Sequence, residues 1–253
     1  MSLPAKTLWP SLLSLLVLLP ILPARSACEE PPARRVNWLR CDKRGVDLQG
    51  VDLQESILGR VNLNGANLSG ARLNGADLSM AQLRETNCSG ARLTEAKLVG
   101  ADLEGANFSN ATMAGISLDR AVLGRANLEK VDLSGAKLYQ AKLPQAILRR
   151  ANLSRANLSQ ADLTAAVLSD AVLRDAVLSR AVLEGADLKN ADLRGAKLDE
   201  ATLLGVDFSG ADLTEADLHG ARIDNANFTG VKLGSAIWVD RRRCRPGSVG
   251  ECL

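Results

Sequence analysis

From Ala66 to Glu85 the chain reads ANLSG, ARLNG, ADLSM, AQLRE: four blocks of five, each with Ala first and Leu third. Working outward, the phase holds without a slip from Val46 to Asp240. That gives 39 consecutive units, of which 32 are centred on Leu and 30 begin with Ala. Such regularity makes the apolar centre and the small residue two places before it structural requirements. A fixed short period is the sequence mark of a solenoid. Length then says little about domain number, because a solenoid grows along one axis and needs no single large core.

Period five suits neither regular element. On an α-helix each residue turns about 100°, so centres five apart would spiral over the whole surface. On a continuous strand an odd spacing sends successive centres to opposite faces. A square coil removes the conflict: one unit forms one side, four units close a turn, and every centre points at the axis. Ala at the second inward site leaves room for the four centres in a densely packed interior. Twenty residues per coil and about 4.8 Å between coils predict nearly ten coils in a rod of roughly 45 Å. In this register Cys88, Phe108, Phe208 and Phe228 share one side, and Asn67, Asn87, Asn107 and Asn127 should stack on it as an amide ladder.

Units such as Ala66-Asn67-Leu68-Ser69-Gly70 and Ala76-Asp77-Leu78-Ser79-Met80 carry a family resemblance. In them the chain resembles the pentapeptide-repeat proteins over about 195 residues. The resemblance implies an all-β fold, a right-handed quadrilateral β-helix. The end of the chain, Cys244-Arg245-Pro246-Gly247-Ser248-Val249-Gly250-Glu251-Cys252, is similar to the tail of many secreted or lumenal members.

The reading divides the chain into a signal peptide (1–27), an N-terminal cap segment (28–45), the solenoid (46–240) and a C-terminal tail (241–253). Lys6 precedes an apolar run interrupted by Pro10 and Pro20, and Ala24-Arg25-Ser26-Ala27 offers small residues for cleavage. The run is short for a span, which needs about 20 residues. An uncleaved anchor is one alternative. A lipoprotein anchored through Cys28 is another, although Arg25 stands where such signals want Leu. Trp38 keeps the repeat phase upstream and reads as a lid over the core; Trp238 can do the same at the far end.

Five cysteines fit an oxidising compartment. Cys88 takes a repeat centre and reads as a small buried hydrophobe. The others lie at opposite ends of a rigid rod, while bridged Cα atoms sit about 5.5 Å apart. Within one chain only Cys28 with Cys41 and Cys244 with Cys252 can close. Asn-x-Ser/Thr sequons such as Asn67-Leu68-Ser69 arise from the repeat itself and would invite dense glycosylation on a eukaryotic secretory route. Export to a bacterial periplasm or a thylakoid-type lumen is therefore expected.

No constellation in the sequence promises catalysis, a metal or a cofactor. The one histidine, His219, follows a centre at an outward site and reads as a solvated surface residue. Asp187, Asp192, Asp207, Asp212 and Asp217 precede centres, where Asp and Asn bond local backbone at turns. Aromatics are 3% of the chain and its net charge is +2, part of which Lys6 and Arg25 supply. A near-neutral mature chain favours neither a nucleic-acid binder nor an acidic DNA mimic.

Two features read as candidate interaction surfaces. Between Leu133 and Ala161 there is no acid, while Lys137, Lys142, Arg149, Arg150 and Arg155 supply five positive charges. From Leu198 to Ala221 the balance reverses, so the rod reads as polarised along its length. Val167, Val172, Val177 and Val182 replace the usual polar residue at the outward site, one on each side of one coil, with Ile147 a coil earlier in column with Val167. Together they read as an apolar docking collar.

The expectation is a non-enzymatic exported rod for protein–protein interaction. It calls for an unidentified protein partner, no nucleic acid, no membrane span in the mature chain and no cofactor, and leaves oligomeric state open. One alternative is a DNA-mimicking topoisomerase regulator, as some relatives are by resemblance. The other is a β-helix carbohydrate-active enzyme, which would need a cleft and inserted loops that the unbroken repeat lacks.

Overall fold

In the computed structural model the structure describes residues 27–253; apart from Ala27 the expected signal segment lies outside them. A short 3-10 helix, Ala27–Glu29, precedes the repeats. From Asn37 onward, parallel bridges join each outward residue to the one twenty positions later, through Asp217 with Ile237. The coil is therefore four-sided. Face A carries the centres Leu48, Leu68 and Cys88, and faces B, C and D begin at Leu53, Leu58 and Leu63. No side amounts to a strand: each touches its neighbours through a single bridging residue. The four-sided, parallel-bridged coil accords with the β-helix expectation, and a corner every five residues leaves no room for a ladder longer than one bridge.

One unit displays the bonding of all. Leu68 N–H donates to the Asn87 carbonyl at 2.6 Å, and Asn87 N–H donates to the Ala66 carbonyl at 3.0 Å. At the corner Gly70 N–H reaches Ser89 at 2.9 Å, and Ala71 N–H closes a turn on Leu68 at 3.0 Å. The fifth residue of every unit from Arg35 to Ser235 has positive φ. A type II turn requires this of its third residue. Glycine adopts it freely, yet Gln145, Arg150, Arg155, Gln160 and Ala165 hold it as well.

Centres and small residues fill the axis. Leu98 and Leu178 are fully buried, with Ala96 and Ala176 beside them. Where the small site is polar it is satisfied: Thr86 donates its hydroxyl to the Leu63 carbonyl at 2.9 Å, and Ser56 to that of Ala33 at 3.3 Å. Cys88 is unpaired and buried, and loss of solvent raises its thiol pKa above the ordinary range. The repeat geometry begins before the regular repeat sequence, since Asn37 and Asp42 already bridge and Arg35 and Arg40 already turn the corner.

Both ends are tied by disulfides. Cys28 and Cys41 have Cα atoms 5.4 Å apart, and Cys244 and Cys252 are 4.8 Å apart. The Cys28 thiol that a lipid would need is thus engaged. After Asp240 the chain reverses, and Arg243 and Val249 pair antiparallel with Ile237 and Lys232.

Candidate interaction surfaces

Only residues twenty apart share a column, so the outward side chains are best taken face by face. On face A, Asn67 donates its amide to Asp47 at 2.9 Å and accepts that of Asn87 at 3.3 Å; Asn107 continues the series to Asn87 at 3.4 Å. The Asp47 oxygen accepts from the Asn67 amide, which orients the stack. The ladder thus starts at Asp47 and stops at Asn107. Asn127, expected as its fourth member, accepts the Glu129 N–H at 3.1 Å as the others accept theirs, but makes no amide bond to Asn107 and has the apolar Ile147 as its next column neighbour.

The five cations that are neighbours in sequence do not form one patch. Lys137 is on face C, Lys142 on face D, Arg149 and Arg150 at the corner after face A, and Arg155 at the corner after face B. Arg150 also lies 3.7 Å from Asp170 in the next coil. The acids of the last coils are distributed in the same way and partly paired, as in Lys189 with Asp207 at 3.2 Å. A stretch of thirty residues winds one and a half times round the rod, so its charges point in every direction.

The valines behave similarly. Val167, Val172, Val177 and Val182 are half-buried, each between column neighbours, and only Val167 has an apolar one in Ile147. Ile147 is 40% exposed. A flat partner on face A therefore meets Ile147 and Val167 with Arg149 and Arg150 at the adjoining corner, whereas the other valines face elsewhere. The sequence reading passed over a second apolar group, Leu39, Ile57 and Met80, all well exposed. Leu39 and Met80 lie along the corner after face C, over Gly59 and Gly100, where an added Cβ would come within 3.1 and 2.6 Å of them. Large side chains at corner positions were the available signal.

The carboxylates serve the turns. Asp187, Asp192, Asp207, Asp212 and Asp217 each accept the N–H two residues on, at 2.9 to 3.3 Å. Asp192 also receives Arg194 and, at 2.5 Å, Arg174 from the previous coil. The Arg194 hydrogen bonds, and then that from Arg174, hold its carboxyl well below the usual range, at about 2. His219 N–H donates to Asp217, and among the described residues its ring has no hydrogen-bond partner. Among those residues no group of three or more His, Cys, Asp or Glu could hold a metal ion, and no helix is long and apolar enough to cross a membrane.

This unbroken five-residue architecture places the chain in a recognisable class of repeat proteins. The family model for pentapeptide repeats matches residues 44–79, 86–125, 116–155, 132–170, 156–195 and 191–230. The chain belongs to the pentapeptide-repeat family. It is similar to the crystal structure of HetL, a pentapeptide repeat protein involved in heterocyst differentiation regulation in the cyanobacterium Nostoc. The identity there is 34%, covering 79% of this chain and 92% of that one, with TM-score 0.60. It also resembles Rfr23 from the cyanobacterium Cyanothece, at 37% identity over 38% of this chain and 63% of that one, TM-score 0.35. A further likeness is to a pentapeptide repeat protein of the Arabidopsis thaliana thylakoid lumen. It is 30% identical over 48% of this chain and 70% of that one, TM-score 0.31. None of the curated proteins matches the chain.

Proposed function

We propose that this protein is an exported, non-enzymatic rod, wound right-handed in the manner of its family, that binds a protein partner on face A. The supporting observation is the uninterrupted bridging from Asn37 to Ile237, which makes the solenoid stiff and presents side chains in straight columns. On that frame Ile147 and Val167 form the apolar centre of a contact, and Arg149 and Arg150 flank it. The partner chemistry that fits is an apolar side chain beside acidic groups. Lys137, Lys142, Arg155, Val172, Val177 and Val182 contribute only if the partner wraps round the rod.

Export is supported by the leader-like sequence of residues 1–27 and by the two disulfides, and periplasm and thylakoid-type lumen remain the two destinations. The DNA-mimic alternative needs an acidic rod, and the cations at the middle of this one oppose it. The carbohydrate-enzyme alternative needs free carboxylates converging on a cleft, whereas Asp187 with Asp207 and Asp192 with Asp212 stack along the flat faces of the rod, and each is engaged by a turn N–H group.

The test is affinity capture of the tagged protein from its own compartment, beside the variants I147N/V167N and R149E/R150E. A stoichiometric partner retained by wild type and lost from both variants supports the reading. A partner held equally by all three, or none held by wild type, ends it.

A further inference from the structure

The exposed large apolar side chains are unevenly spread round the rod. Among the described residues there are seven, and four of them, Leu39, Ile57, Met80 and Tyr139, lie at or beside the corner after face C. Ile57 holds the outward site of that face, between Asn37 and Asp77. Leu39 lies over Gly59, two residues past Ile57, where an added Cβ would come within 3.1 Å of its Cδ1. Met80 lies over Gly100 in the same way, with its Sδ 2.6 Å from such a Cβ. Half-buried Val99 borders it, and Tyr139 follows two coils further on. At one bridge per coil, Leu39 and Tyr139 are about 24 Å apart along the edge.

The surroundings of these side chains are basic. Arg40, Arg60, Lys97, Arg120 and Lys137 are exposed on the same edge, and among the described residues none of them makes an ion pair. Over this stretch the acids on face C and its following corner are Asp77 and Asp119. Each accepts a backbone N–H at 2.9 Å, from Ser79 and Tyr139 respectively. Beyond Tyr139 the edge becomes polar and then paired, with Ser159, Gln160 and the ion pair of Arg180 with Glu200 at 2.7 Å.

Shape selects the partner. The corner of a four-sided coil is a convex ridge, and its N–H groups are spent on the next coil, as Arg60 on Ser79 and Arg120 on Tyr139. A folded protein would need a matching furrow to receive a ridge of this length. A lipid headgroup layer yields to a convex edge, and it binds apolar side chains bordered by Lys and Arg. Tyr139 suits such a boundary, with an apolar ring and a hydroxyl that donates to Gln160 at 3.3 Å.

We infer that the corner after face C is a membrane-contact edge, on which the rod lies along an anionic lipid surface. Leu39, Ile57 and Met80 dip among the headgroups, and Arg40, Arg60 and Lys97 stand over lipid phosphates. Each cation held at such a surface strengthens binding about fivefold. Faces A and B then point away from the lipid, so the edge is separate from the protein contact on face A and does not rest on it.

Flotation with vesicles tests this, using the oxidised protein as recovered from its own compartment. Phosphatidylcholine vesicles containing phosphatidylglycerol should bind it, phosphatidylcholine alone should not, and salt should release it. L39S/I57N/M80Q and R40Q/R60Q/K97N introduce residue types that the same columns already carry at Ser79, Asn157 and Gln140. Both should therefore melt as wild type does. The charge variant should bind about a hundredfold more weakly, and the apolar variant about tenfold. The charge-matched R92Q/R222Q/R245Q, which lies off this edge, should bind as wild type does. Wild type that ignores anionic vesicles, or binds neutral ones equally, overturns the inference. Equal binding by wild type and both edge variants overturns it too, because another segment then holds the lipid. A loss confined to one edge variant, or an equal fall in the charge-matched one, is also fatal. If an edge variant melts lower, R60Q alone decides: binding about fivefold weaker supports the edge, and unchanged binding refutes it.

Discussion

At the N-terminal end Trp38 is 1% exposed, with its ring N–H on the Glu30 carbonyl at 3.1 Å and Lys43 over its face at 4.2 Å. At the C-terminal end Trp238 is only half-buried. It meets Phe228 edge-on at 5.2 Å, and Phe228 in turn stacks on Phe208 at 5.3 Å. Both ends carry a tryptophan at a centre position and a disulfide nearby, yet Trp38 is sealed while Trp238 and its neighbours Ile223 and Phe228 stay half-exposed. An aromatic lid closes a solenoid core only when further chain crosses above it. Ala27–Glu30 crosses Trp38, while the tail turns back over faces B and C and leaves Phe228 partly uncovered.

Substitutions can break or sharpen this contrast. The largest effect is expected from Trp38→Ala, about 4 kcal/mol in denaturant unfolding, because a fully buried indole is lost and a cavity left. Trp238→Ala should cost about half as much, and equal losses would show the ends to be sealed alike. Next, C244S/C252S should destabilise the C-terminal coils by about 2 kcal/mol, the scale for a short closed loop. Hydrogen exchange should quicken at Leu233 and Ala236 and stay unchanged at Leu58. Uniform quickening would mean the rod unfolds as one unit and the ends are not separable.

Asp192, away from both ends, supplies an interior reference. Its carboxyl pKa is lowered to about 2, so its contribution is present above the unfolded value near 3.8 and is lost as pH falls through 2. Asp192→Asn should therefore cost about 2 kcal/mol at neutral pH and nothing at pH 1.5. A cost independent of pH would assign the loss to packing. The smallest effect is expected from Gly70→Ala. An added Cβ there meets nothing within 4 Å, while φ is +65°, so the cost of about 1 kcal/mol is backbone strain alone. Stability measured by denaturant should change in the interior and leave exchange at both ends as in wild type.

Much of the coil was legible because its cause is local and repeated. Leu158 is buried for the same reason as every other centre, and the side shared by Cys88, Phe108 and Phe208 follows from counting in twenties. The reversal at the C-terminal end was not legible, since nothing in Arg241–Leu253 says that Arg243 and Val249 pair back onto Ile237 and Lys232. The surfaces were legible only as residues and not as patches: Lys137 and Arg149 are twelve apart and lie on different sides, whereas Ile147 and Val167 are twenty apart and touch.

By itself the sequence determined the five-residue side, the four-sided coil, the identity of the core and the family to which the chain belongs. Those follow from periodicity, which acts between residues close along the chain and is repeated until it cannot be misread. Tertiary structure alone decided which charges meet, where the amide ladder stops and how far the core is covered at each tryptophan. Each of these depends on neighbours a full turn away or on a reversal that occurs once, and a local pattern carries no record of either.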